Sequence, residues 1–365
     1  MTPKVTFVVP CYKLAGLLPT CLNSILRQSY TDFEILVMDD CSPDNTAEVA
    51  HSYGDVRIRH VRNDPNLGHL RNYNKGIELS RGAYTWLISA DDYLRSPHVL
   101  GRYVALLDSR PTLGYVFCPG YGVRDGVETE ILGRLRAHGD RDRVLSGEAL
   151  LTKLLRGNFV AAPSGMVRRE CYEKVSVFPL DMPWCGDWYL WCLFALHYDV
   201  GYFAEPMVCY REQHALSMTD KLTRECLDAC AAEEIRVSLR IRDQALRMGK
   251  SRVAQRGLAA LAYTYARTIA GPRFRAAGAD MTFEAMEASL RQYTSDENER
   301  AWIRARVYAD VGNECYWRQD LAAARHFYLK ALSMNPWMPL TAVKAALASL
   351  GRPGDYVRKT ILALR

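Results

Sequence analysis

The chain has 365 residues, of which 49% are hydrophobic and 24% charged, and its net charge is +6. This composition is that of a globular protein with a substantial core, and the length leaves room for two domains. Residues 1–221 carry 24 basic and 26 acidic side chains, whereas residues 222–365 carry 23 and 15, so the positive excess lies in the tail. Because the basic side chains are scattered and no basic run with interleaved aromatics occurs, we expect no nucleic-acid partner. We interpret the tail first as a solvated helical surface, and second as a surface for anionic membranes or acidic partners.

Eleven cysteines occur without a CxxC pair or a regular spacing, so we expect them to be reduced and mostly buried. The apolar run from Val5 ends at Pro10 and is shorter than the core of a secretion signal. Nowhere do about 18 uncharged apolar residues follow one another. The sequence therefore predicts a cytoplasmic chain that neither spans a membrane nor is exported, and peripheral contact with the inner face of the membrane stays open.

Strand and helix patterns alternate along the first part of the chain. Strands are predicted at 5–10, 33–40, 56–63 and 83–89, and helices at 17–28, 45–53 and 70–79. This alternation predicts an α/β domain with a parallel sheet over residues 1–221. After residue 222 the pattern is helical almost throughout, so we expect an all-α domain over residues 222–365.

Three predicted strands end in polar or functional residues, which are Pro10-Cys11-Tyr12, Asp39-Asp40 and Asp91-Asp92. Ligands of such sheets bind at the carboxyl ends of the strands. Four carboxylates gathered there need a divalent cation or a cationic or hydrogen-bond-donating ligand, and oxygen ligands suit Mg²⁺ or Mn²⁺ with a diphosphate. The alternative is that Ser42 or Asp44 caps a helix and Asp39-Asp40 only shape a turn.

These segments resemble the family 2 inverting glycosyltransferases, which have the GT-A fold. The resemblance rests on Pro10-Cys11-Tyr12-Lys13, on Ser24 and Gln28 in the first helix, on the segment from Met38 to Asp44, and on the stretch from Asn66 to Asp92. It extends over residues 5 to about 220. Lys13 stands where the family usually has Asn, Cys41 where it has Gly, and Ser89 where it has the first Asp of the Asp-x-Asp metal motif.

The resemblance implies roles for several residues. Pro10, Cys11, Tyr12 and one of Asp39 or Asp40 would hold the nucleoside, and Arg71 or Asn74 would line the same site, with a surface position as the alternative for Arg71. Asp91, with Asp92 beside it, would bind Mn²⁺ or Mg²⁺ at the diphosphate of the donor.

Asp187 precedes an apolar helix in the segment from Met182 to His197. An inverting transfer needs a base for the acceptor hydroxyl, and we predict that Asp187 is this base. The alternative is an N-cap, and both roles are compatible. By resemblance, His214 would complete the metal site or contact the phosphates, or it is an exposed loop histidine. The family carries Glu-Asp before this helix, and Gly186 takes the Glu position here.

Within the tail, the stretch from Tyr308 to Trp337 fits one tetratricopeptide unit at about 305–338, with small and aromatic residues at the packing positions. We interpret this region as a helical cap on the catalytic domain, or as a surface for a protein partner or self-association.

The sequence therefore predicts an inverting, divalent-metal-dependent glycosyltransferase for bacterial surface glycans or glycoconjugates. The donor is a nucleotide sugar, with a UDP-sugar as first choice, and the acceptor is a glycan, a lipid-linked molecule or a protein. Two alternatives stay open, a noncatalytic nucleotide- or sugar-binding scaffold that recruits partners through its tail, and a nucleotidyltransferase.

Overall fold

The computed structural model describes residues 2–133, 135, 140–212, 217, 221–222, 226–271 and 281–350. The chain divides into two compact units, Met1–Leu222 and Thr223–Arg365. The first unit is α/β and the second is helical, as the sequence predicts.

The first unit opens with four parallel strands that alternate with helices. In chain order these elements are β1 (Val5–Cys11), α1 (Leu18–Leu26), β2 (Phe33–Asp39), α2 (Thr46–Ser52), β3 (Ile58–Arg62), α3 (His69–Leu79) and β4 (Tyr84–Leu87). β1 pairs with β2 on one side and with β4 on the other, and β3 pairs with β2. The predicted alternation is confirmed over this stretch.

Among the described residues, eight further strands and four α-helices follow in this unit. They are β5 (Tyr93–Leu94), α4 (Val99–Ser109), β6 (Leu113–Phe117), β7 (Gly120–Arg124), β8 (Val127–Leu132), β9 (Arg143–Leu145), α5 (Gly147–Leu154), β10 (Met166–Arg168), α6 (Arg169–Lys174), α7 (Gly186–His197), β11 (Asp199–Tyr202) and β12 (Val208–Arg211). The large sheet has the order β3-β2-β1-β4-β10-β6-β11-β9, and a small sheet has the order β5-β12-β7-β8.

The large sheet is mixed, whereas the sequence predicted a parallel one. β10 runs antiparallel to both of its neighbours, β4 and β6. Met166 at the start of β10 pairs with Trp86 near the end of β4, and Arg168 pairs with Tyr84 at the start of β4. The chain therefore enters β10 at the edge where β4 ends, without the crossover that a parallel neighbour requires.

β1 and β2 are buried along their whole length. Phe7 and Val9 face one cluster, which also contains side chains of α1 and α4, whereas Val8 faces a second, smaller cluster with Leu36 and Met38. Strands that are covered on both faces read as nearly continuous apolar runs. Cys11 pairs with Asp39 in parallel register, so the polar residues that end β1 and β2 lie at the same edge of the sheet.

The second unit contains six described helices, Leu227–Arg247, Ser251–Ala270, Phe283–Tyr293, Glu297–Trp317, Leu321–Met334 and Pro339–Ser349. The tetratricopeptide-like stretch covers most of Glu297–Trp317 and all of Leu321–Met334. A side chain at Gly312 would lie 2.7 Å from the ring of the buried Tyr328, so the two helices approach closely there. The repeat assignment itself stays a prediction.

No helix in the described ranges has both the length and the apolar composition needed to cross a membrane. All eleven cysteines are free, and eight of them are buried. Buried thiols of this kind behave as small apolar side chains.

We expect Gly82→Ala to destabilise the first unit. A methyl group at Gly82 would lie 2.6 Å from the Thr6 amide nitrogen and 2.8 Å from the Tyr84 carbonyl oxygen, and backbone atoms of paired strands cannot move aside cheaply. The expected loss is about 2 kcal/mol, or a fall in melting temperature of roughly 4–8 °C by circular dichroism. Gly16→Ala is the control, because a methyl group there meets nothing within 4 Å. An unchanged melting temperature for Gly82→Ala would contradict this packing.

Candidate functional site

A cavity lies within the first unit, where β4 ends. Its volume is about 170 Å³, which in liquid water is the share of roughly six molecules. Three of the predicted site residues, Asp91, Asp92 and Asp187, line it together. Aromatic side chains form much of the remaining wall, including Tyr73, Phe178, Trp184, Trp191 and Tyr210.

Asp91 and Asp92 follow β4, and neither has a cationic side chain within two positions in the sequence. In the fold, the cation beside them is Arg211 of β12, 119 residues after Asp92. The Arg211 amide donates to Asp92 Oδ1 at 2.9 Å, and Arg211 Nε donates to the carbonyl oxygen of Asp91 at 3.2 Å. Burial raises the pKa of Asp92 well above its usual value, the neighbouring Asp91 raises it further, and Arg211 opposes both effects.

Asp187 lies in the first turn of α7. The helix begins at Gly186 and its N-cap is Cys185, so the expected N-cap role of Asp187 is corrected. Its Oδ1 accepts from the Trp188 amide at 2.6 Å, and its Oδ2 accepts from Asn158 Nδ2 at 3.1 Å. Burial raises the pKa of Asp187 to about 6, although these two hydrogen bonds act in the opposite direction.

Helix α3 holds the loop that leads towards Asp187. His69 Nε2 lies 2.9 Å from the Pro183 carbonyl oxygen, and burial lowers the pKa of this histidine. Asn74 makes two hydrogen bonds with the backbone of Phe178, donating to its carbonyl at 2.8 Å and accepting from its amide at 2.9 Å. The Asn74 amide, which we predicted at the donor site, thus fixes a residue of the cavity wall, whereas Arg71 is exposed on the same helix.

Asp39 is fully buried and has protein partners at both oxygens. Its Oδ1 accepts from the Ser42 amide at 2.8 Å, and its Oδ2 accepts from Arg62 Nη1 at 2.8 Å and lies 3.1 Å from His60 Nε2. Burial alone would raise the pKa of Asp39, but these hydrogen bonds outweigh burial and hold it below its usual value.

Asp40 holds the loop that leads into α3. Its Oδ1 accepts from Asn63 Nδ2 at 2.9 Å and from the Leu67 amide at 2.8 Å, and its Oδ2 accepts from the Gly68 amide at 2.9 Å. The contacts of Asp39 and Asp40 agree with the alternative in which this pair shapes a turn.

The end of β1 lies beside this pair and apart from the lining of the cavity. Cys11 is buried, its carbonyl accepts from the Asp40 amide at 2.9 Å, and burial raises the pKa of its thiol to about 12. Tyr12 follows Pro10 and Cys11 and is 43% exposed. We call Pro10, Cys11, Tyr12, Asp39 and Asp40 the β1–β2 rim. Eight of the predicted site residues thus form two groups, the five of the rim and the three of the cavity, whereas Arg71 and Asn74 belong to neither.

His214 lies outside the described residues. Within the described ranges, no group of three or more His, Cys, Asp and Glu side chains is placed to hold a metal ion. A metal site at Asp91 would therefore need its other ligands from the donor, from water or from outside these ranges.

The sequence reasoning missed Asn158 and the contacts of Arg211 with the carboxylate pair. Gly157 and Asn158 form a dipeptide typical of turns, which was the only local signal for Asn158. Nothing in the local sequence indicates that Asn158 meets Asp187, because the two residues are 29 positions apart.

Residues 6–175 match the family described as glycosyl transferase family 2. These residues are a family 2 glycosyltransferase domain. An uncharacterised protein of Mycobacterium tuberculosis is 29% identical over 224 residues, which are 60% of this chain and 70% of that protein. The uncharacterised glycosyltransferase EpsJ of Bacillus subtilis is 38% identical over 98 residues, which are 26% of this chain and 28% of EpsJ. The family 2 domain makes the protein a transferase.

The fold of this glycosyltransferase is similar to that of TarS of S. aureus, solved as residues 1–349 in complex with UDP. The TM-score is 0.59 at 16% identity, covering 96% of this chain and 92% of that one. This likeness shows the fold, a GT-A domain followed by a helical region.

We expect Asp40→Ala to destabilise the first unit by about 3 kcal/mol, because the buried Asn63 amide and the backbone amides of Leu67 and Gly68 lose their acceptor. Urea unfolding measures this loss. Asp32→Ala is the control, since Asp32 is exposed in the loop before β2, at the opposite end of that strand. A variant with wild-type stability and weakened nucleotide binding would instead assign Asp40 to the ligand.

Proposed function

We propose that the protein is an inverting glycosyltransferase that moves a sugar from a nucleotide-sugar donor to a hydroxyl acceptor, with Asp187 as the general base. The observation that carries this proposal is the placement of Asp187, Asp91 and Asp92 in one cavity. The cavity thus offers carboxylates for two tasks, the deprotonation of the acceptor and the binding of a cation at the donor.

Asp187 suits the task of a base. A pKa of about 6 keeps it ionised at neutral pH, and it is more basic than an ordinary aspartate. In the transfer, the acceptor hydroxyl gives its proton to Asp187 and its oxygen forms a bond to the anomeric carbon. The bond from that carbon to the nucleoside diphosphate breaks on the opposite face, which inverts the configuration.

The residues around Asp91 fit a divalent cation, Mn²⁺ or Mg²⁺. After burial, the like charge of Asp91 is the next cause that raises the pKa of Asp92, and a cation beside the pair would offset this repulsion. Mg²⁺ in such sites is held by one or two carboxylates together with substrate phosphates. Asp91 would hold the ion, with His214 as the further predicted ligand, and the bound cation would lower the negative charge of the departing diphosphate.

We place the nucleoside along the β1–β2 rim, where Tyr12 exposes an aromatic ring on which the nucleobase could stack. Asp39 and Asp40 would act there through the loop that they shape. UDP is the first candidate, as the sequence predicts, and TarS, which shares the fold, was solved with UDP and with UDP-GlcNAc.

Asp187→Asn is expected to lower transfer by roughly 10²- to 10⁴-fold, because the amide cannot take a proton. Its oxygen can still accept from the Trp188 amide, whereas the hydrogen bond with Asn158 is lost because two NH₂ groups then face each other. Donor affinity should therefore change little, and the melting temperature should fall only slightly. In the wild type, kcat/KM should fall about tenfold per pH unit below pH 6, since Asp187 becomes protonated there. Radiolabelled-sugar transfer from pH 4.5 to pH 9 measures both effects.

Asp181→Asn is the matched control, because Asp181 is an exposed carboxylate six residues upstream in the loop before α7. It should keep wild-type transfer. Near-normal transfer by Asp187→Asn would contradict the assignment, and loss of transfer by Asp181→Asn would move the base there. Donor binding without any turnover by the wild type would favour a binding scaffold.

Asp91→Asn is expected to weaken the metal-dependent part of nucleotide binding while the fold is kept. Calorimetry with UDP, GDP, TDP and CMP, each with and without Mn²⁺, measures this metal-dependent part and identifies the preferred nucleobase. We expect Mn²⁺ to tighten UDP binding in the wild type by roughly tenfold or more, about 1.4 kcal/mol. An equal effect of Mn²⁺ on the variant would exclude Asp91 as a ligand.

A further inference from the structure

Asn158 lies in the loop between α5 and β10 and makes two hydrogen bonds with its side chain. Its Oδ1 accepts from the Val160 amide at 3.0 Å, and its Nδ2 donates to Asp187 Oδ2 at 3.1 Å. These two contacts settle which way the amide faces, since only the oxygen can accept from Val160. The nitrogen must therefore face Asp187.

The loop that carries Asn158 is anchored at both of its ends. At the start, the Gly157 amide donates to the Leu154 carbonyl at 3.0 Å, and Trp188 Nε1 donates to the same carbonyl at 2.8 Å. At the other end, Val160 is buried. Trp188, the residue after Asp187, thus anchors the start of the Asn158 loop to helix α7. In return, Asn158 of this loop donates a hydrogen bond to Asp187 of the same helix.

We propose that Asn158 is a positioning residue for the transfer: its amide fixes the plane of the Asp187 carboxylate, together with the Trp188 amide on the other oxygen. This inference rests on the proposed role of Asp187 as the base. Each carboxylate oxygen then has one fixed donor and keeps a lone pair for the acceptor proton. An Asn side chain can only donate through Nδ2, so it favours the ionised carboxylate, the form that acts as a base.

Other titratable groups line the same cavity as Asp187. From the remaining elements of the wall these are His69, Tyr73, Asp91, Asp92, Tyr210 and Arg211. Tyr172 of α6 also lines the cavity, and Cys192 lies on the helix of Asp187 itself. None of them changes when Asn158 is replaced, so a difference between Asn158 variants reports the Asn158 contact.

The test compares Asn158→Ala and Asn158→Asp with the wild type. Loss of a hydrogen bond to the charged form raises the pKa of Asp187, so the acid limb of kcat/KM should move up by roughly one pH unit in Asn158→Ala. Transfer should then be about fivefold lower at pH 6, and the smaller loss that remains at pH 9 reflects the less fixed carboxylate plane. Asn158→Asp keeps an acceptor for the Val160 amide but places a like charge beside Asp187. The acid limb of its kcat/KM profile should therefore move to a still higher pH than in Asn158→Ala.

A ¹³C NMR titration of the Asp187 carboxyl carbon, assigned by its loss in Asp187→Asn, measures the same shift without activity. Asn335→Ala is the matched control, because Asn335 accepts from the amide two residues on, at Trp337, just as Asn158 does. It should leave the Asp187 titration unchanged. A similar shift of the Asp187 titration in Asn335→Ala would overturn the specific role of Asn158.

Two results would overturn the proposal, an Asp187 titration in Asn158→Ala that equals the wild type, and a loss of transfer that is equal at every pH with a lower melting temperature. The latter describes a purely structural residue. If Asp187→Asn keeps its activity, the base assignment fails. An unshifted NMR titration then rejects the Asn158 contact, and a shifted one retains the contact without its catalytic role.

Discussion

One hydrogen bond, from the Arg211 amide to Asp92 Oδ1, ties the carboxylate pair to the small sheet beside the cavity. Asp92 lies between β4 of the large sheet and β5 of the small sheet, and Arg211 ends β12, which pairs with β5. Since Asp92 is buried, loss of this partner would leave an uncompensated carboxylate in the interior, which typically costs several kcal/mol. The position of β12 is thereby coupled to the carboxylate pair, and Arg211 Nε reaches the Asp91 carbonyl as a result.

Burial acts to raise the pKa of Asp39, Asp92 and Asp187 alike, and the protein donors around each carboxylate decide the outcome. Asp39 accepts hydrogen bonds from Ser42 and Arg62 and lies beside His60, so its pKa falls. Asp187 accepts from the Trp188 amide and from Asn158, burial prevails over these two neutral donors, and its pKa rises to about 6. A carboxylate with several donors, one of them a guanidinium, suits a structural task, whereas one held by two neutral amides keeps the basicity that proton transfer needs.

Residues that lie near each other along one strand or one loop were predictable from the sequence. The alternation of strands and helices over residues 5–89 and the carboxylates at the strand ends follow from local periodicity. The antiparallel β10 and the Asn158–Asp187 contact did not follow, because strand direction and long-range side-chain contacts depend on how distant segments are packed. The N-cap expectation for Asp187 was wrong by two positions, since the helix begins at Gly186 after Cys185, and helix boundaries carry this uncertainty.

The departure from the family pattern at Gly186 has a physical counterpart in the cavity wall. A methyl group at Gly186 would lie 3.2 Å from the Phe178 ring and 3.5 Å from Leu70. Phe178 cannot retreat easily, because Asn74 holds its backbone at both the amide and the carbonyl. Phe178 and Leu70 thus pack against the position where the resemblance places a carboxylate. The wall next to Asp187 therefore contains an aromatic ring, on which the apolar face of a sugar ring can stack.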